Sequence, residues 1–360
     1  MSVSTTRIDG FSFHVVLSRS LMAFSVAGAM ALAPVSATAQ GALPKTVNIA
    51  TNPSGTLYYA LTSGIAATIA ANAPFKAEAA PYSGTSTFMP LLNEGRELDF
   101  GMVNGVDMGM AYLGPEKRKI GGKNPFSRSP NVSLVVRGGA MQVAVYVPKN
   151  SPIHNVRDAK GHKMSGEYPA HQAVWYNGLG NLASCGLNWS DVDVVPVPAV
   201  NDGMDALKDG RVEVSMHAVG SGKVREVDAA IGVRMVRICD DEEANKRVAK
   251  AVPGYSIMKF KPGSSVGVSE PASAVSYDVY FGTSKSMSDQ VVYEAVKALW
   301  NGQKTLFSKH PILKRWTKER FASDEVTIPY HPGAIKFFKE KGVWTDAMEK
   351  HQQELLRESM

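Results

Sequence analysis

Short β-branched runs alternate with amphipathic stretches along nearly the whole chain. Val47–Thr51 predicts a strand, and from Leu57 to Ala71 the apolar residues Leu61, Ile65 and Ile69 repeat every four positions, the spacing of one helix face. Leu98–Val103 predicts the next strand, and the pattern recurs at Val192–Val197, Val212–His217 and Val233–Ile238. Alternation at this rhythm implies an α/β fold of mostly parallel sheets flanked by helices.

An internal echo suggests that this plan is used twice. Leu92-Asn-Glu-Gly95-Arg96 precedes one strand and Leu207-Lys-Asp-Gly210-Arg211 precedes another, 115 residues later. Each reads as a helix end with glycine at the left-handed terminal position. Between the copies, Gln142–Val147 followed by Pro148-Lys-Asn-Ser-Pro152 reads as a strand leaving one lobe, and Val275–Phe281 as the strand returning. Helices over Asp289–Leu306 and Pro332–Lys341 then pack back on the first lobe. The expected domains are a lobe of residues 40–145 and 280–360, a second lobe of 146–279, and two hinge strands joining them across a cleft.

The amino terminus bears on compartment. Leu21–Ala33 is a 13-residue, mostly apolar run after Arg19, and Ala37-Thr38-Ala39 supplies a small-x-small pattern. A span takes about 20 apolar residues, so residues 1–39 read as a signal peptide cleaved near Ala39 and the mature chain as periplasmic; a retained anchor is the alternative. The chain carries +6, of which Arg7, Asp9 and Arg19 contribute +1, leaving +5 from residue 40 onward. The basic residues are scattered, which excludes the stripe of a nucleic-acid binder. Two cysteines, Cys185 and Cys239, remain. An oxidising compartment permits a disulfide. In a parallel α/β layer, however, a helix end and a strand end lie at opposite edges of the sheet, so the expectation is two free thiols.

In open α/β sheets ligands bind beyond the carboxyl ends of strands, where helix amino termini offer free N–H groups. Four polar turns fit that position. Asn52-Pro53-Ser54-Gly55-Thr56 leads into Tyr58-Tyr59, and Tyr82–Thr87 holds Ser83, Thr85 and Ser86. Met164–Ala170 contains Tyr168 and leads to His171-Gln172, and Ala218-Val219-Gly220-Ser221-Gly222 follows a strand. Ordinary capping explains one hydroxyl per turn, and a histidine such as His171 is more often a solvated cap than a ligand contact. Two such turns per lobe, all at strand ends, exceed what capping needs. Enzyme motifs are missing: there is no GxSxG elbow, Walker loop or dinucleotide glycine pattern, and the histidines show no metal-ligand spacing. No cofactor or metal is therefore expected, and Ser221 with His171 is the only pair a hydrolase reading could use.

The turn Ile49-Ala-Thr51-Asn-Pro-Ser54-Gly55-Thr-Leu-Tyr58-Tyr59 resembles the opening motif of the TAXI-type solute-binding proteins of tripartite ATP-independent periplasmic (TRAP) transporters. Gly84-Thr85-Ser86, Leu92–Gly95 and Asp205–Gly210 extend the resemblance, and Ile328-Pro-Tyr-His331-Pro332-Gly333-Ala334 through Gly342 is similar to the family's C-terminal signature. Coverage runs from about residue 45 to 345. The resemblance implies a two-lobed type II periplasmic-binding-protein fold, a cleft for a carboxylate-bearing solute and a membrane permease partner driven by an ion gradient. It places Ser54, Gly55, Tyr58, Thr85 and Asn104 on the cleft wall of the first lobe. Two departures, Phe88 where the family usually carries asparagine and Ala170-His171-Gln172 in place of a G-S-G-T turn, imply a changed ligand. The expectation is a monomeric binder of a small organic acid or amino acid. Ser54, Thr85, Ser86 and Gln172 hold the anion, and Tyr58 and Tyr168 pack its skeleton. A periplasmic sensor component is the alternative.

Overall fold

The computed structural model describes residues 42–359, so the signal-peptide reading lies outside the described residues. The strands are β1 (Thr46–Thr51), β2 (Lys76–Pro81), β3 (Phe100–Asn104), β4 (Val132–Pro148), β5 (Lys163–Glu167), β6 (Asp193–Val197), β7 (Ser215–Ala218), β8 (Val233–Met235), β9 (Ser256–Phe260) and β10 (Ala272–Ser284). The helices that shape the site are α1 (Leu57–Asn72), α2 (Thr85–Glu94), α3 (Gly105–Leu113), α4 (Ala173–Ser184), α5 (Val200–Lys208), α6 (Gly222–Ile231), α7 (Glu242–Ala251), α8 (Asp289–Asn301) and α9 (Gln303–Lys309).

Eight strands form one mixed sheet in the order β2-β1-β3-β10-β4-β7, with β8 on β4 and β9 on β10. Pairing is parallel for β1 with β2 and β3, and antiparallel around the two long strands. β5 and β6 form a separate parallel pair. The long strands each serve two neighbourhoods. Residues 279–283 of β10 pair with β3, and residues 272–276 pair with β9. β4 likewise gives residues 143–148 to β7 and β8. A two-lobed α/β fold results, with β4 and β10 running from one lobe to the other.

The crossover point is built from side chains far apart in sequence. A register irregularity falls between Asp278 and Tyr280 of β10, opposite Ala140 of β4. There the Asp278 carboxylate accepts from Arg137 Nε at 2.7 Å and from Arg320 at 2.6 Å. Gly138 and Gly139 interrupt the β-branched pattern, which is why the sequence predicts only Gln142–Val147. The strand nonetheless runs from Val132, because the buried Trp316 indole fills the space that a Cβ at Gly138 would enter at 2.3 Å. Elsewhere the expected helix Asp289–Leu306 divides at Gly302, whose missing Cβ lets Thr68 and Asn72 of α1 approach closely. The echoed glycines behave as their sequence implies, with φ of 65° at Gly95 and 71° at Gly210.

The cysteine expectation is overturned. Cys185 and Cys239 form a disulfide, with Cα atoms 5.1 Å apart. Cys185 caps α4, as anticipated. The failed premise was that Val233–Ile238 runs in a parallel layer. β8 spans only Val233–Met235 and pairs antiparallel to β4. The chain beyond it pairs with Asn155 at Arg237 and arrives beside the end of α4.

Candidate ligand-binding cleft

The turn after β1 carries out two tasks. Thr56, rather than Ser54, caps α1: its hydroxyl accepts from the Tyr59 N–H at 3.2 Å and donates to the Pro53 carbonyl at 2.6 Å. That frees the preceding backbone to reach the other lobe. The Ser54 carbonyl accepts from Asn201 Nδ2 of α5 at 3.2 Å, and the Gly55 carbonyl accepts from the Lys223 N–H of α6 at 3.0 Å. Gly55 needs its hydrogen side chain here, with φ at 85°.

A second contact forms at the start of α2. Gly84 lies so close to Ala170 and His171 that a Cβ would meet the Ala170 carbonyl oxygen at 2.1 Å. Beside it the Ser86 hydroxyl accepts from the Gln172 N–H at 3.3 Å. Asn52 Nδ2, at the end of β1, sits 3.2 Å from His171 Nε2. The two lobes are therefore closed against each other along two seams.

Between the seams lies a narrow cavity of about 20 Å³. One lobe lends Asn52, Thr56, Leu57 and Tyr58; the other lends His171, Val174, Asn177, Val200, His217 and Ala218. Met141 and Val143 of β4 with Tyr277 of β10 form the back wall. Among the described residues, no lysine, arginine or acid lines it. Its walls are apolar between a few polar atoms, the usual composition of a small-molecule site.

The histidines are neutral there. Burial pushes His171 down to about 3, with the His217 charge adding to the effect. Burial likewise pushes His217 down to about 4. The Asn52 amide nitrogen is a donor, so His171 Nε2 accepts and the ring proton sits on Nδ1. His217 Nε2 faces the Asn201 oxygen at 3.1 Å, so it carries the proton and Nδ1 keeps its lone pair. Asn52 Oδ1, His171 Nδ1 and His217 Nδ1 are all buried without a partner among the described residues. Tyr58 Oη on the same wall is a fourth such atom, so the cleft offers one N–H donor, one hydroxyl and two acceptors. α4 starts beside them with no side-chain cap, adding the partial positive charge of a helix amino terminus.

The structure gathers some of the expected site residues and disperses others. Tyr58 and His171 line the space, and Gly55, Ser86 and Gln172 close it. The Ser54 side chain is exposed, and only its carbonyl takes part. Thr85 is buried at the first position of α2, away from the cavity lining. Ser221 caps α6 by accepting from the Val224 N–H at 3.2 Å. Tyr168 turns inward, its hydroxyl donating to the Ser165 carbonyl at 2.8 Å. Asn104 caps α3 and donates to the Tyr255 hydroxyl at 2.8 Å, which bonds Asn177 Oδ1 at 2.7 Å. Sequence reasoning passed over Asn52, Asn177, His217 and Tyr277. Of these, Asn52 and His217 were legible as strand-end residues; Asn177 and Tyr277 sit inside elements whose facing only the tertiary fold decides.

A closed cleft between two α/β lobes, built at strand ends and floored by two crossing strands, defines the periplasmic-binding-protein class of fold. The chain belongs to the NMT1-like family, whose model matches residues 49–342. Among solved structures it is similar to the periplasmic binding protein BugD, at 11% identity over 88% of this chain and 97% of that one, with a TM-score of 0.53. It also matches R. palustris Rpa4515 with adipate at 12% identity, over 88% of this chain and 98% of that one, with a TM-score of 0.49. PhnD1 from Prochlorococcus marinus (MIT 9301), in complex with methylphosphonate, matches at 9% identity over 84% and 100%, with a TM-score of 0.49.

Proposed function

We propose that this chain is the exported solute-binding subunit of a TRAP-type secondary transporter. It captures a small organic acid or amino acid between its lobes and delivers it to a membrane permease. The supporting observation is the closed cleft with four buried polar atoms that lack partners among the described residues, each of which costs roughly 1–3 kcal/mol unless a bound molecule completes it. His171 Nδ1–H and the start of α4 suit a carboxylate. We assign the described residues of 40–145 and 280–360 to one lobe and 146–279 to the other, so that the Asn52–His171 and Gly55–Lys223 contacts latch them. The disulfide favours export, since such bonds persist in oxidising compartments. The TAXI-like turn Ser54-Gly55-Thr-Leu-Tyr58 favours a TRAP permease as partner over other transporter types.

The test is a thermal-shift screen of the chain from Gln40 against organic acids and amino acids, followed by uptake into vesicles holding a TRAP-type permease under an ion gradient. A ligand at about 100 times its Kd adds about 2.7 kcal/mol, a readily measured rise in Tm. A hit followed by uptake supports the reading. A hit without uptake, but with docking to a sensor domain, replaces transport with sensing.

A further inference from the structure

The four unpartnered atoms of the cleft make a specific set. Asn52, Tyr58, His171 and His217 are all buried, none more than 5% exposed, and all four line the same cavity of about 20 Å³. Asn52 Oδ1 and His217 Nδ1 present lone pairs, while His171 Nδ1–H and the Tyr58 hydroxyl present protons. The His217 tautomer is set from outside the cavity. Asn201 Nδ2 donates to the Ser54 carbonyl, so the Asn201 oxygen faces His217 Nε2 and draws the proton there. Turning the Asn52 amide over would move one free lone pair from Asn52 to His171 and the free N–H the other way, which leaves the inventory unchanged.

That inventory discriminates among head groups. A carboxylate carries lone pairs and no proton. It would satisfy His171 and Tyr58 but set its oxygens against two buried lone pairs, with no lysine or arginine on the wall to hold its charge. An ammonium has the protons, but no acid lines the cavity and it offers His171 nothing to donate to. A hydroxyl brings one proton and leaves one lone pair unmet. A primary carboxamide is neutral and matches all four atoms: its nitrogen supplies two N–H donors, and its oxygen has two lone pairs. Size agrees. The cavity is little larger than a single water needs, so a compact head group reaches these atoms while the remainder of the solute lies outward.

Resting on the solute-binding reading above, we propose that this cavity is a carboxamide subsite, so that the solute is an organic acid or amino acid ending in a primary amide rather than a plain mono- or dicarboxylate. The amide nitrogen donates to Asn52 Oδ1 and His217 Nδ1, and the amide oxygen accepts from His171 Nδ1–H and the Tyr58 hydroxyl. The solute's own carboxylate is left to the uncapped start of α4 beside the cavity. His217 then determines specificity, because its lone pair accepts from an amide and opposes a carboxylate.

The test is calorimetry with pairs matched in shape: glutamine against glutamate, asparagine against aspartate and succinamate against succinate. Each is titrated into wild type, His217→Gln and Tyr58→Phe. The expected result is a preference of about tenfold or more for the amide member of whichever pair binds. His217→Gln keeps an N–H for Asn201 but loses the Nδ1 lone pair, so amide affinity falls and the preference shrinks toward parity. Tyr58→Phe removes a donor that both head groups use and weakens both members of a pair by a similar factor. Equal or tighter binding of the carboxylate member in wild type overturns the inference and leaves the solute-binding reading standing, whether or not the variants fold. A folded His217→Gln protein that keeps the full amide preference overturns it as well. Failure of every acid, amino acid and amide to bind overturns both readings.

Discussion

Asn52 and His171, 119 residues apart, meet side chain to side chain with 3.2 Å between Nδ2 and Nε2, and neither is exposed to solvent. The contact joins the end of β1 to the turn before α4, so it exists only while the lobes are closed. It also sets the imidazole tautomer that aims Nδ1–H into the cleft. Asn52→Ala is expected to lower ligand affinity at least tenfold, about 1.4 kcal/mol, by releasing both the latch and the tautomer. Melting in the absence of ligand should change by no more than about 2 kcal/mol. Unchanged affinity by calorimetry would remove His171 from the site.

The buried histidines make acid sensitivity calculable in sign. Their folded pKa values, about 3 for His171 and about 4 for His217, lie below the ordinary value of 6.5. Over the interval between, the unfolded chain binds more protons, so stability rises with pH and levels off above about 6.5. Each histidine contributes a slope of roughly 1 kcal/mol per pH unit. Most carboxylates titrate lower, near pH 4, which leaves the window from about pH 6.5 to pH 5 to the histidines. Urea unfolding across that window should show the loss, and His171→Gln with His217→Gln should reduce it, leaving the share of His310 and His331, which burial also pushes down. A slope unaffected by both substitutions contradicts the assignment.

Closure depends on a missing side chain. A Cβ at Gly84 would come within 2.1 Å of the Ala170 carbonyl oxygen and 2.7 Å of His171 Cβ. φ at Gly84 is 171°, extended backbone that any residue adopts, so alanine strains nothing within the first lobe. Gly84→Ala should therefore leave the fold intact, hold the lobes apart and weaken binding at least tenfold. Small-angle scattering with saturating ligand is the check: wild type contracts and the variant does not. An equally compact variant would show that the seam slides to accommodate a methyl group.

Local signals were readable in the sequence, and long-range ones were not. β1 and α1 follow from the alternation in Thr46–Thr51 and the four-residue spacing of Leu61, Ile65 and Ile69. The positive φ at Gly95 and Gly210 follows from the helix-glycine-arginine pattern. The cleft-facing turns are legible because strand-end chemistry is local. β4 through Gly138 is not, since the group that stabilises it is Trp316, far along the chain. The disulfide depends on β8 running antiparallel to β4, which no local pattern reports. Sequence reasoning passed over Asp107; only its burial without a hydrogen-bond partner distinguishes it.

The disulfide closes a loop spanning 54 residues between the end of α4 and the chain just beyond β8. Cross-linking restricts the unfolded chain, and the loop-closure entropy removed at that length is worth about 4 kcal/mol. The bond joins the end of α4 to the chain four residues beyond β8, outside the residues that line the cleft. Replacing both cysteines by serine is expected to lower unfolding free energy by about 2–4 kcal/mol while ligand affinity stays within about twofold. Chemical denaturation and calorimetry on one preparation separate the two effects. A parallel fall in affinity would mean that the bond positions α4, and with it His171 and Asn177.

Tyr168 provides the sharpest contrast between the sequence expectation and the fold. The sequence assigns its ring to the ligand's skeleton. In the fold its backbone is left-handed, with φ at 48°, and the side chain is fully buried beneath the turn. The hydroxyl donates to the Ser165 carbonyl and lies 2.7 Å from Ser165 Oγ, which also bonds Ser215 Oγ at 2.9 Å. Those bonds tie the turn before His171 to β5 and β7. Tyr168→Phe should cost about 1–2 kcal/mol of stability through the lost bonds and leave the relative affinities of different ligands unchanged. Tyr277→Phe changes a group on the cavity wall and should shift those affinities instead. The reverse outcome, with selectivity following Tyr168, would place the ligand deeper in the second lobe than the space bounded by Asn52, His171 and Tyr277.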